Sequence, residues 1–87
     1  MEIITKSRFE KDIKRLKKQK KDFKKLENIL HLLLEGVPLD KKFRSHPLVG
    51  NWRPCWELHI EPDWLLIYYI GDARLTLYRT GSHSDLF

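Results

Sequence analysis

Only one cysteine, Cys55, occurs in the 87 residues. An internal disulfide is therefore excluded, a reducing compartment fits, and Cys55 reads as a packed strand residue. No apolar run approaches the roughly 20 residues of a membrane-spanning helix. The start, Met1-Glu2-Ile3-Ile4, lacks the basic-then-apolar order of a leader. No signal peptide and no membrane partner are expected, and the expected location is cytoplasmic. Compact metal-ligand spacings of the CxxC or HxxxH kind are missing as well, so no metal and no other cofactor is expected.

Acidic residues are the minority among the charges: 12 Asp or Glu stand against 17 Lys or Arg, a formal net charge of +5. That balance favours a polyanionic partner. The excess is local. Residues 6–25 hold eleven Lys or Arg and three acids, a net of +8, and the rest of the chain sums to −3. Lys14, Lys17, Lys18, Lys21 and Lys25 are the candidate contacts to a nucleic-acid backbone. The length suits one domain, residues 1–87, whose core spans little more than two layers.

Met1–Thr5, short and β-branched, reads as a strand. Ser7-Arg8-Phe9-Glu10 fits a capping box opening a helix, with Phe9, Ile13 and Leu16 as its apolar stripe. Residues 19–21 connect it to a second helix capped by Asp22, striped by Phe23, Leu26, Leu30, Leu33 and Val37, and closed by Gly36 and Pro38. Together they read as an αα-hairpin, in which His31 is a partly exposed helix histidine. Residues 38–51 read as a long loop of functional use. Three strands follow. In the first, Trp52, Trp56, Leu58 and Ile60 share one face, and Cys55, Glu57 and His59 the other. Pro54 near its start implies an edge or a bulge. The second, Trp64–Ile70, is apolar on both faces and therefore central. Gly71-Asp72 suits a two-residue turn. In the third, 74–80, strict alternation puts Arg79 with Leu75 and Leu77, so Arg79 lies beyond the core edge or a bulge re-aims it. The tail, 82–87, follows Gly81 as a helical turn. The expected fold is α+β: an N-terminal strand and a two-helix hairpin packed on one face of a small antiparallel-rich sheet.

Chemistry gathers at His59-Ile60-Glu61-Pro62-Asp63-Trp64. Its proline marks a tight reversal where two strand ends bring an imidazole, carboxylates and an indole together. His46, Arg79 and His83 complete the inventory that RNA cleavage needs. Histidine and carboxylate supply proton transfers, each worth about 10²–10⁴-fold. An arginine fork matches phosphate, and Trp64 or Phe87 can stack on a base. Two other readings stay open on spacing alone. His59 and Asp63 with His46 or His83 could ligate zinc, or the histidines could simply lie on an ordinary sheet surface.

Three ordered blocks, 45–52 (SHPLVGNW), 59–68 (HIEPDWLLIY) and 77–87 (LYRTGSHSDLF), resemble the YafQ branch of the RelE/ParE superfamily. The resemblance spans nearly the whole chain. It implies a RelE-like fold and a type II toxin that cleaves mRNA, commonly on the ribosome, without metal. It further implies a catalytic set of His46, His59, Asp63, Arg79 and His83, with Trp64 and Phe87 supporting. In that set His83 is the general acid, Asp63 or His59 the base, and Arg79 the phosphate ligand. The implied partners are mRNA, the ribosome and a cognate antitoxin that is partly disordered and DNA-binding. Cleavage of free RNA without ribosomes is one alternative. A non-catalytic nucleic-acid-binding or gyrase-poisoning toxin is the other.

Overall fold

The computed structural model describes all 87 residues. Its elements run β1 (Glu2–Thr5), α1 (Ser7–Lys18), α2 (Phe23–Glu35), β2 (His46–Pro47), β3 (Trp56–Glu61), β4 (Trp64–Gly71), β5 (Arg74–Gly81) and α3 (His83–Leu86). The architecture is α+β. Five strands form one sheet in the order β1-β5-β4-β3-β2. The sheet is mixed, because β1 runs parallel to β5 while the other neighbours pair antiparallel.

The alternation along the strands sorts the apolar side chains into two clusters. Leu58, Ile60, Trp64, Leu66, Tyr68, Leu75 and Leu77 meet Phe9 and Leu16 of α1 and Leu26, Ile29 and Leu33 of α2. Leu65 and Ile67, pointing the other way from β4, meet Cys55 and Leu86. β4 is apolar on both faces because both are covered, which makes it central as its sequence requires. Each large apolar side chain fully buried here contributes about 1.5–3 kcal/mol.

Several local expectations change. α1 has Lys6 as its N-cap, with no side-chain cap, so the Ser7 capping box does not form. Lys6 stays extended because its N–H donates to the Leu77 carbonyl, continuing the β1–β5 ladder by one residue. A true capping box closes the start of α3, where Ser82 and Asp85 exchange hydrogen bonds. The stretch 38–51 is not wholly loop: it contains two single 3₁₀ turns, at Lys41–Phe43 and Gly50–Trp52, and the short edge strand β2. Trp52 therefore lies outside β3 and packs on the Cys55 side, not with Trp56 and Leu58. The β4–β5 turn centres on Asp72-Ala73, both at positive φ, with Gly71 paired to Arg74, one residue later than expected. Asp22 and Gly36 cap α2 as expected, Gly36 at φ +69°.

Candidate active site

The Pro62-Asp63 turn is as tight as its proline requires, with Glu61 paired to Trp64 across it. It brings the end of β3 beside the start of α3. The Asp63 carboxylate accepts from both the backbone N–H of His83 (3.0 Å) and its ring Nδ1 (2.7 Å) on one oxygen, Oδ1. The backbone N–H and then the ring of His83 hold the Asp63 carboxyl below its ordinary range. With Nδ1 donating, the free ring nitrogen of His83 is Nε2, which has no protein hydrogen bond. His83 and Asp63 are both exposed.

A second group lies alongside. β2 pairs with β3 so that His46 stands directly opposite Glu57, and His46 Nε2 lies 2.8 Å from Glu57 Oε2. His59, two residues along β3 on the same face, has Nε2 4.0 Å from that same oxygen. Its Nδ1 lies 3.3 Å from the Pro62 carbonyl. Glu57 and His59 are buried, His46 is exposed. The His59 and His83 rings are 5.7 Å apart between centroids, which joins the two groups. The ligand atoms of His46, Glu57 and His59 all fall within 4.8 Å of one another, so these three are the residues that could hold a metal ion.

Arg79 is re-aimed by a bulge. Tyr68 pairs with Leu77 and Ile67 with Arg79, which leaves Tyr78 as the extra residue. The register thus puts Arg79 in the row of Ile67, Glu57 and His46, on the histidine face, not with Leu75 and Leu77. Its guanidinium makes no hydrogen bond to a histidine. It clamps Asp12 of α1 through Nε (2.7 Å to Oδ2) and Nη2 (3.1 Å to Oδ1). Burial would raise the Asp12 pKa, but donors from Arg79, Arg15 and the Thr80 N–H outweigh it and hold the carboxyl below its ordinary value. Asp12 in turn raises the pKa of Arg79.

Trp64 cannot serve as a stacking platform. It is 0% exposed, packed edge-on to Phe23, with its indole N–H donated to Thr80 Oγ1. β4 is the central strand, and an indole on its core face has no path to a base. Phe87 is 60% exposed and leans edge-on against Trp52. Lys14, Lys17, Lys18 and Lys25 are exposed along the helices. Lys21 and Lys25 both reach Glu61 at the turn, at 3.3 and 2.7 Å. An open cleft of about 430 Å³ beside His59 is lined by Lys25, Asn28, Lys42, Phe43, Arg44 and Glu61, among others.

The structure thus brings His46, His59, His83 and Asp63 into one cluster and leaves Arg79 on the same face but paired elsewhere. Four residues of the site and its surroundings are not singled out by the sequence. Glu57 shares the parity of His59 two residues away, a signal that was available. Asp12 falls on the stripe of Phe9, Ile13 and Leu16, where a carboxylate in a core position should imply a buried partner. Lys42 and Arg44 give no such signal, since only the 3₁₀ turn aims them at the cleft.

A family profile described as the bacterial toxin of type II toxin-antitoxin system, YafQ, matches residues 1–87. The chain is 41% identical over 80 residues to the mRNA interferase toxin YafQ of Escherichia coli strain K12, over 91% of this chain and 87% of that protein. It resembles a chain in the crystal structure of the E. coli DinJ-YafQ toxin-antitoxin complex, with TM-score 0.90, 39% identity, and coverage of 99% and 96%. It also resembles a metal-bound toxin from Helicobacter pylori, with TM-score 0.93, 40% identity, and coverage of 100% and 99%.

Proposed function

The chain belongs to the YafQ family of bacterial type II toxins, and from that premise we propose that it is an endoribonuclease that cuts mRNA by attack of a 2′-OH on the adjacent phosphate. The reaction takes place in the cytoplasm on ribosome-bound message, and a cognate antitoxin restrains it. The observation that carries this reading is the meeting of two separately held histidine groups, His46–Glu57–His59 and Asp63–His83, across a 5.7 Å ring separation.

Their geometries suit opposite proton transfers. Asp63 fixes His83 through Nδ1 and the backbone, leaving Nε2 to deliver a proton to the departing 5′-oxygen. Asp63 itself is a poor base, because its Oδ1 accepts two donors and its pKa is depressed. The base role therefore falls to the His46–Glu57–His59 group, with the Glu57 carboxylate supporting whichever imidazole takes the 2′-OH proton. Arg79 offers its remaining guanidinium edge to the phosphate. The basic helices, taken as an antiparallel pair, carry the RNA or ribosome backbone contacts through Lys14, Lys17, Lys18, Lys21 and Lys25. Phe87 supplies an aromatic face for a base.

A substrate carrying a 2′-deoxy sugar at the attacked position should not be cut. Undiminished cleavage there would remove the internal attack. A second reading has its own support. His46, Glu57 and His59 are close enough to share an ion, and a similar toxin has been crystallised metal-bound. Chelation separates the two: activity in EDTA supports the metal-free reading, and loss restored by zinc supports the other.

A further inference from the structure

We propose that Asp12 is a positioning residue for cleavage, holding Arg79 as a preset fork for the scissile phosphate. This rests on the nuclease reading above. Asp12 is only 2% exposed and lies on the apolar stripe of α1, where an unpaired carboxylate would be costly. Its two oxygens accept four hydrogen bonds. Oδ2 takes Arg79 Nε and the Thr80 backbone N–H (3.1 Å), and Oδ1 takes Arg79 Nη2 and Arg15 Nη1 (2.8 Å). With these four bonds the carboxylate is saturated and cannot swing.

The consequence for Arg79 is directional. A guanidinium bound through Nε and Nη2 is fixed in plane and rotation, and presents its other edge, Nη1 with the second hydrogen of Nη2. Nη1 makes no protein hydrogen bond, and it is not among the buried atoms that lack one, so it keeps contact with solvent. That edge is a ready two-point donor for phosphate oxygens. Two carboxylates, Asp12 and Asp85, face the two guanidiniums of Arg79 and Arg15, with Asp85 Oδ2 3.5 Å from Arg15 Nη2, so the fork is set by geometry and not by a surplus of charge.

The same network reaches toward His83. β1 stops pairing at Leu77, which leaves the edge of β5 free at Thr80. Asp12 accepts from the Thr80 N–H there, and Arg15 Nη2 donates to the Thr80 carbonyl (3.0 Å). Gly81 follows, where a side chain would meet Arg15 Nη2 at 2.5 Å, and His83 comes two residues later. One turn of α1 thus sets both the fork and the strand end that leads to His83.

The test is single-turnover and steady-state cleavage of mRNA by Asp12→Asn, alone and combined with Arg79→Ala. Asn keeps an acceptor for Thr80 N–H but removes the charge. The expected result is a fall in kcat of about 10²-fold with KM little changed, the scale of an ångström-level misplacement, and no further loss when Asp12→Asn is added to Arg79→Ala. Wild-type kcat in folded Asp12→Asn, or losses that simply multiply in the double variant, would overturn the proposal. If Asp12→Asn does not fold, Arg79→Lys serves in its place. It keeps the charge but not the two-point clamp, so the same large kcat loss is expected, and wild-type cleavage would overturn the proposal. Wild-type protein that cleaves no RNA would overturn the nuclease reading and this one together.

Discussion

His83 is where the chemistry can be separated most cleanly from the fold. Its side chain is exposed and bonded only to Asp63, so His83→Gln should lose at least about 10²-fold in cleavage. Its melting temperature should stay within a degree or two of the wild type; a large drop in stability would mark His83 as structural. Asp12 behaves oppositely. Removing one partner of a buried ion pair typically costs about 3–5 kcal/mol, so Asp12→Ala should show a marked fall in the urea midpoint. The sign of its pH dependence follows from its depressed pKa. The stabilising contribution is complete above the unfolded-state carboxylate value and is lost as pH falls through the lower folded value. Acid titration of Asp12→Asn should therefore be flatter in that range than that of the wild type. At this scale the sequence named the histidines, Asp63 and Arg79, because each is a chemically marked residue type. Glu57 and Asp12 carry weaker signals, a shared parity with His59 and a carboxylate on an apolar stripe, and their partners are fixed only by the pairing of β2 and the position of β5.

Among the elements, β5 decides the most. Its bulge at Tyr78 turns Arg79 to the histidine face, and its free edge at Thr80 is covered by side chains from α1 instead of by a strand. Alternation alone predicted a conflict at Arg79 and offered a bulge as one resolution, but could not choose it, because a bulge depends on the register of the partner strand. The reading of β4 as central succeeded because a run apolar on both faces has few other places to go. The Ser7 capping box failed because the β1–β5 ladder claims Lys6 first. Gly36 ends α2 in the left-handed region with open space around its Cα. Gly36→Ala should cost about 1 kcal/mol by backbone strain alone, measurable by chemical denaturation, and should leave cleavage untouched.

Across the whole molecule, charge is divided from chemistry. The histidine cluster sits at one end of the sheet, and the lysines extend along the helices, with Lys21 and Lys25 meeting the cluster's edge through Glu61. If five phosphates are contacted, log affinity for single-stranded RNA should fall against log salt with a slope of about −3.5, read by titration at several ionic strengths. A flat response would make the lysines a solvated face. The uneven charge was plain in the sequence, but its relation to the active face was not, since that needs the packing of α1 against β5.

The most direct test of metal-free 2′-OH attack by the histidine cluster is the chemistry of the new 3′ ends when mRNA is cut in EDTA, with and without ribosomes. A 2′,3′-cyclic phosphate, absent with His83→Gln, is the expected product. A 3′-hydroxyl opposite a 5′-phosphate, or cleavage that stops in EDTA and returns only with zinc, would contradict it.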